Sequence, residues 1–361
     1  MPFYPPGEGS PSDPVIGLGA PAPIAVASRP KPTVSPVAAP DVYAALRTGT
    51  LGPTTRSLPP RLYVPNAFGF VDVLALPSGR LVTRLPVPGG GPARVVPSWN
   101  LKWLWLVGRT GLLPVNARTG RHGRVRPVPH VRGLYFTSHG RDAVTITARR
   151  LVFRDPVTMR ARAALQLPCT GTAHADLSAD ENTFVLACVR PGQLVRIDAT
   201  RRITTGTLPL PPGSRPKDVR LSPDGSLFYV ADPAKQGVWL IDATRFRTTA
   251  FIPTPGGAHS LLPSRDARTL YVLGRATLTT IDFTTRKATA HRPLPYNGRS
   301  TLGGLTPDGT TLWLTAPAKT YAISPTTAHL TRTLPLPGHP TAPLPYPQPA
   351  HHSLGGTPHF R

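Results

Sequence analysis

Cysteine is nearly absent from this chain: there are two, and no Cys-x-x-Cys pair, which leaves no thiolate set for a structural zinc site. No apolar run approaches the length of about eighteen residues that a membrane-crossing helix needs. No Gly-x-Ser-x-Gly elbow, phosphate-binding loop or His-Glu-x-x-His pair occurs, so three common catalytic signatures are missing and no cofactor is expected. Acidic residues number only 17 against 41 basic ones, a net charge of +24, and of the basic residues only 6 are lysine.

What is abundant is arginine (35), proline (48) and glycine (33). The excess of positive charge suggests nucleic acid or another acidic polymer as a partner. A plainer reading is that arginine for lysine, with much Ala, Pro and Gly, is the bias of a GC-rich coding sequence. The arginines are scattered, whereas a basic patch needs them clustered.

Residues 1–40 have the Pro, Ala, Gly and Ser content of a linker. Val15 to Ala27 is mildly apolar and ends in Ala25-Val26-Ala27 before Ser28, like a signal-peptidase site. No basic residue precedes it, and Pro21 and Pro23 interrupt it. Two readings stand: a linker, or an export segment whose start lies further upstream. The domain expectation is therefore 1–40 linker or export segment, 41–347 folded domain and 348–361 tail, with His351-His352 a solvated pair.

The middle of the chain repeats. Strand-like runs recur at Leu62, Trp103, Val144, Phe184, Phe228, Leu270 and Leu312, at steps of 41, 41, 40, 44, 42 and 42. Each run is β-branched or aromatic and lies between turn residues. Tight turns precede most of them, clearest at Ser222-Pro223-Asp224-Gly225 and Thr306-Pro307-Asp308-Gly309. A third strand follows each marker, as in Val238-Trp239-Leu240-Ile241-Asp242. A fourth ends in proline, as at Leu85-Pro86, Leu208-Pro209, Ile252-Pro253 and Leu334-Pro335. Proline cannot donate to a ladder, so these are outer edge strands. Four antiparallel strands per repeat, seven times over, predict an all-β fold, a seven-bladed β-propeller. The first copy lacks a first strand, and the phase restarts at Gly338-His339-Pro340. Residues 338–346 are thus expected to close the ring as the inner strand of blade 1.

The repeat resembles that of YVTN-type, YncE-like β-propeller proteins. Their motif runs Pro-His, an apolar stretch, Ser-Pro-Asp-Gly, Leu-Tyr-Val, Val-x-Val-Ile-Asp and a closing Ile-Pro. The best copy here runs from Arg215-Pro216-Lys217-Asp218-Val219-Arg220-Leu221 through Asp242 to Ile252-Pro253, and the resemblance covers roughly 60–347. Copies two and three depart from it in their turns, at Ser98-Trp99-Asn100-Leu101 and Thr137-Ser138-His139-Gly140. The resemblance implies the fold; propellers of this type serve many functions.

Aligning the copies on Ser222 puts Arg94, Arg132, His174, Lys217, Asp218, His259 and His339 near one end of the inner strands. They predict a largely basic channel mouth that binds a small anionic ligand through charge-assisted hydrogen bonds, or contacts a protein partner. A non-catalytic binding or scaffold module is the expected role, as a monomer. Two alternatives belong to other classes. One is a lactonase-like metal-dependent hydrolase. His174, Asp176, His259 and His339 are potential ligands, and channel carboxylates converging on one point would favour it. The other is a nucleic-acid-binding propeller, with Trp99, Trp103, Trp105 and Tyr135 stacking on bases. Their alternation with apolar residues fits blade core better.

Cys169 precedes the first strand of blade 4 and Cys188 ends its second, so both approach one end of a hairpin. Strict register sets Cys188 opposite Ala173, and a disulfide requires 169–172 to curl back. A bridge would fit an oxidising, extracytoplasmic compartment; free thiols would point to the cytoplasm.

Overall fold

Hairpin turns of one design organise the chain. In the computed structural model, which describes residues 41–47, 49–91, 93–296 and 300–349, the Ser222 hydroxyl donates to Asp224 Oδ1 at 2.5 Å and accepts from the Leu227 N–H at 2.9 Å. Ser178, Ser264 and Thr306 do the same with Asp180, Asp266 and Asp308. A second turn closes each outer hairpin. Asp242 accepts from the N–H groups of Thr244 and Arg245, and the Phe246 N–H returns to the Asp242 carbonyl. Asp155, Asp198 and Asp282, and Asn116 in their place, accept in the same way. The Asp after the third strand is therefore a turn residue.

These turns build seven four-stranded antiparallel sheets. Blade 5 is typical, with Asp218–Leu221, Leu227–Asp232, Gly237–Asp242 and Arg247–Pro253 in order from the inside out. Six of the outer strands end on proline, at Pro86, Pro127, Pro209, Pro253, Pro293 and Pro335. The ring closes as the sequence predicts. Leu344–Tyr346 pairs antiparallel with Arg61–Asn66 and completes blade 1 as its innermost strand.

Among the described residues the buried apolar side chains form seven clusters, one for each contact between neighbouring blades. Leu104 and Leu106 face blade 1, while Trp105 and Val107 face blade 3. Both faces of a blade are covered, which is why the second strands read as continuous apolar runs. Each fully buried Leu or Phe contributes about 1.5–3 kcal/mol.

Two features differ from expectation. In blades 2 and 3 the marker residues sit one position off: Leu104 and Ala143 occupy the place that Phe228 holds in blade 5. Trp103 and Trp105, two apart on one strand, share a face; Trp103, at the strand's start, is 38% exposed, while Trp105 and Tyr135 are core. Second, Cys169 and Cys188 are bridged, with Cα atoms 5.7 Å apart, but Cys188 lies opposite Thr172 and not Ala173. The cause is a bulge between Thr172 and Ala175, an extra residue no Gly or Pro announces. Residues on both flanks of the blades also pack against them. Tyr43, just before the short helix Ala44–Arg47, is fully buried and its hydroxyl donates to the Leu221 carbonyl at 2.8 Å. Gln348 is 1% exposed and donates to the Leu305 and Pro345 carbonyls at 3.0 and 2.7 Å. The apolar segment at 15–27 and the pair His351-His352 lie outside the described residues.

Candidate functional site

The inner strand of each blade has one unpaired edge, and its N–H groups must find acceptors. Here side chains of the preceding blade supply them. Asp218 Oδ2 accepts from the Leu261 N–H at 2.9 Å, and Asp176 Oδ2 accepts from the Leu221 N–H at 2.7 Å. The Tyr135 hydroxyl takes the Ala175 N–H at 3.0 Å. The His174 N–H goes directly to the Lys217 carbonyl, and that of Gly304 to the Pro343 carbonyl. The channel wall is thus laced from blade to blade.

These bonds define what the channel carboxylates do. The other oxygens of Asp176 and Asp218 accept from the N–H groups of Leu177 and Val219. Asp218 Oδ1 also pairs with Arg220 Nη2 at 3.1 Å, with both side chains almost wholly buried. Burial pushes the Asp218 carboxyl upward, Arg220 and the Leu261 and Val219 N–H groups oppose this, and Asp176 adds to it. The Arg220 guanidinium also donates to the Val219 carbonyl. Arg220 was not among the residues predicted for the site. Its signal was alternation: Asp218 and Arg220 are two apart on one strand and so share a face.

Above this layer the predicted mouth residues separate into two openings at one end of the inner strands. Arg94 and Arg132 line a cavity of about 540 Å³ at blades 2 and 3. Lys217 and His259 line another of about 840 Å³ at blades 5 to 7. His174 lies between, on the blade 4 bulge, close enough to Arg94, Arg220 and Lys217 to be influenced by all three. Its imidazole is held well below the usual range, first by burial and then by those cations. Arg94 is also pushed down by burial; Tyr135 and Asp218 oppose this, and Arg132 reinforces it. Arg94 Nη1 and His174 Nδ1 are enclosed without a hydrogen-bond partner.

His339 stands apart. Its N–H donates to Asn66 Oδ1, as that of Arg215 does to Asp232 Oδ1. It therefore occupies the place of Arg215, two residues outward from Lys217, with its ring edge-on to Phe68. Thr341 takes the place equivalent to Lys217, donating to the Pro65 carbonyl as Lys217 does to that of Ala231. Consequently His174, Asp176, His259 and His339 do not converge, and among the described residues no group of three His, Cys, Asp or Glu side chains is placed to hold a metal ion. No described Trp, Tyr or Phe lines either opening.

At the opposite end of the inner strands, polar side chains bond to backbone carbonyls. The Arg265 guanidinium donates to the Leu305 and Thr306 carbonyls and to Gln348, and burial lowers it to about 10. The Tyr43 and Gln348 bonds described above lie at this end. The Tyr346 hydroxyl donates to the Leu101 carbonyl there.

No protein-family model matches the chain, and no curated protein matches it. Solved structures do. A functionally unknown protein from Desulfotomaculum acetoxidans DSM 771 superposes with a TM-score of 0.67 at 12% identity, over 78% of this chain and 98% of that one. Kuenenia stuttgartiensis hydrazine synthase gives 0.59 at 13%, over 74% and 89%. Dihydro-heme d1 dehydrogenase NirN, in complex with DHE, gives 0.60 at 14%, over 81% and 77%. At such identities the likeness is one of fold.

Proposed function

We propose that this propeller is a non-catalytic binding module whose basic mouth captures a small anionic ligand. The observation that carries the reading is the gathering of Arg94, Lys217 and Arg220 around a His174 that they help keep uncharged, with Arg132 beside Arg94. The compensating carboxylates, Asp176 and Asp218, hold backbone N–H groups. Arg220 is already paired with Asp218, whereas an enclosed Arg94 Nη1 lacks an acceptor. A bound anion would supply that acceptor and relieve the mutual repulsion.

The hydrolase alternative loses ground because Asp176 and Asp218 are engaged between blades. Base stacking loses ground because the two openings have no described Trp, Tyr or Phe in their walls. The repeat's resemblance to YVTN-type propellers agrees with a binding or scaffold role. The buried Cys169–Cys188 bridge supports an extracytoplasmic setting.

The test is calorimetric titration of the full chain with inorganic phosphate, sulfate and citrate at low and moderate salt. Saturable binding of at least one anion is expected. Arg94→Glu, Arg132→Glu and Lys217→Glu combined, in a variant shown to be folded, should weaken it by at least about tenfold. Binding unchanged in that variant, or none that saturates, overturns the proposal.

A further inference from the structure

Blades 2 and 3 meet along a cavity. The outer strand of blade 2 is two residues long, Arg126–Pro127, where the complete blades have six or seven. Where that strand would lie, a cavity of about 470 Å³ opens, within the range of small-molecule sites. Trp99, Trp103, Trp105 and Phe136 form its apolar wall, and Arg124 and Arg126 contribute charge. The two hairpin turns that depart from the repeat, Ser98-Trp99-Asn100 and Ser138–Gly140, both border it. Gly140, at φ +64°, lies so close that a Cβ there would sit 3.2 Å from Trp99 Cβ. The sequence thus leaves its own pattern at the places that shape this cavity.

Its charged side chains, Arg124 and Arg126, have one sign. Trp105 is 3% exposed, and its indole N–H has no hydrogen-bond partner. Arg126 Nε is likewise enclosed and unsatisfied. Both groups are donors, and among the described residues no Asp or Glu lines the cavity. A ligand that completes the site must bring acceptors and negative charge at one end, and a flat apolar body for the indole walls.

We propose that this cavity is a binding site, separate from the channel mouth, for a small planar aromatic carboxylate. The carboxylate accepts from Trp105 Nε1 and the Arg126 guanidinium, and the ring packs among Trp99, Trp103 and Phe136.

The experiment is titration of the full chain with 2-naphthoate and, in parallel, with neutral 2-naphthamide, followed by calorimetry and tryptophan fluorescence. One saturable naphthoate site is expected, with the amide at least about tenfold weaker. Trp105→Phe and Arg126→Met should each weaken naphthoate by about tenfold, while the triple charge reversal at the mouth leaves it unchanged. Trp103→Ala alters an exposed rim residue, leaves the fold intact and should lower affinity severalfold. It carries the test if either buried variant fails to fold. The proposal is overturned by absence of saturable naphthoate binding, by equal binding of the amide, by wild-type affinity in the folded cavity variants, or by loss of binding in the mouth variant.

Discussion

Blades 5 and 6 keep the repeat intact; blades 2 and 3 do not. Yet the hydrogen bonds of their first hairpins are nearly the same. Ser98 Oγ donates to Asn100 Oδ1 at 2.8 Å and accepts from the Trp103 N–H at 3.0 Å, as Ser222 does with Asp224 and Leu227. Thr137 Oγ1 accepts from the Asp142 N–H at 3.0 Å. A hydroxyl at the first turn position is enough to hold the hairpin. What changes is the surface around it: Trp99 where blade 5 has Pro223, and an outer strand cut to Arg126–Pro127, while the register of the first two strands is the same. The fold depends on a few polar positions in each repeat, and the positions between them are free to become a site.

The largest break in this comparison lies within the intact half. Arg220→Met leaves Asp218 buried beside Asp176 without its cation. It should cost about 3–5 kcal/mol, with Asp218→Asn added in the same chain recovering part of it. Urea denaturation of the single and double variants measures both. A loss under 1 kcal/mol would mean that the N–H groups of Val219 and Leu261 alone suffice for Asp218. Next comes the junction between blade 3 and blade 4. Replacing Cys169 and Cys188 by alanine opens a loop with a sequence separation of 19, worth about 3 kcal/mol in the chain-entropy model. Equal stability of the oxidised wild type and the variant would show that the interblade cluster holds this junction unaided.

The same contrast explains what the sequence made legible. Seven strand runs, the Ser-Pro-Asp-Gly turns and the closing prolines state the fold because each repeats, and repetition outweighs local ambiguity. Ring closure followed from a missing first strand and a spare last one. The mouth was read only in part. Lys217, Arg132 and Arg94 follow the repeat phase, but His339 does not, because the restarted copy is two residues out. The Thr172–Ala175 bulge carries no turn residue, so nothing in Thr172-Ala173-His174-Ala175 announces it. Arg220 was visible as a two-residue alternation with Asp218, but its burial depends on blades far away in sequence. The Trp cavity was illegible because nothing in the sequence announces that the outer strand of blade 2 is cut to Arg126–Pro127.

A pH-dependent effect links the two halves, since His174 of blade 4 faces Arg94 of blade 2 as well as Lys217 and Arg220 of blade 5. Its folded-state affinity for a proton is well below the ordinary value of 6.5. The unfolded chain therefore takes up the proton first as pH falls. The neutral imidazole is compatible with the fold at pH 7, and stability is lost as pH drops below about 6.5, down to the folded-state value. His174→Asn should flatten the stability profile in that window and change it little above pH 7. A bound anion at the mouth would raise the His174 affinity and shrink the loss. Parallel profiles for wild type and variant would mean that His174 is not held neutral by its surroundings.

The smallest effect bears directly on why the turns tolerate departure. The fourth turn position is left-handed throughout, with φ of 70° at Gly225 and 73° at Gly309, but 60° at Leu101, 57° at Glu181 and 55° at Ala267. An L-residue there costs about 1 kcal/mol relative to glycine. Leu101 and Ala267 are buried, and glycine in their place would also remove apolar contact. Glu181 is half-buried, so Glu181→Gly removes less apolar contact than either of those changes. It should raise stability by about 0.5 kcal/mol once the greater entropy of glycine in the unfolded chain is offset, while Gly225→Ala should lower it by about 1 kcal/mol. Urea midpoints at constant slope resolve both. If neither moves, the left-handed position carries no strain, and its tolerance of Leu, Glu and Ala comes from the turn hydrogen bonds alone.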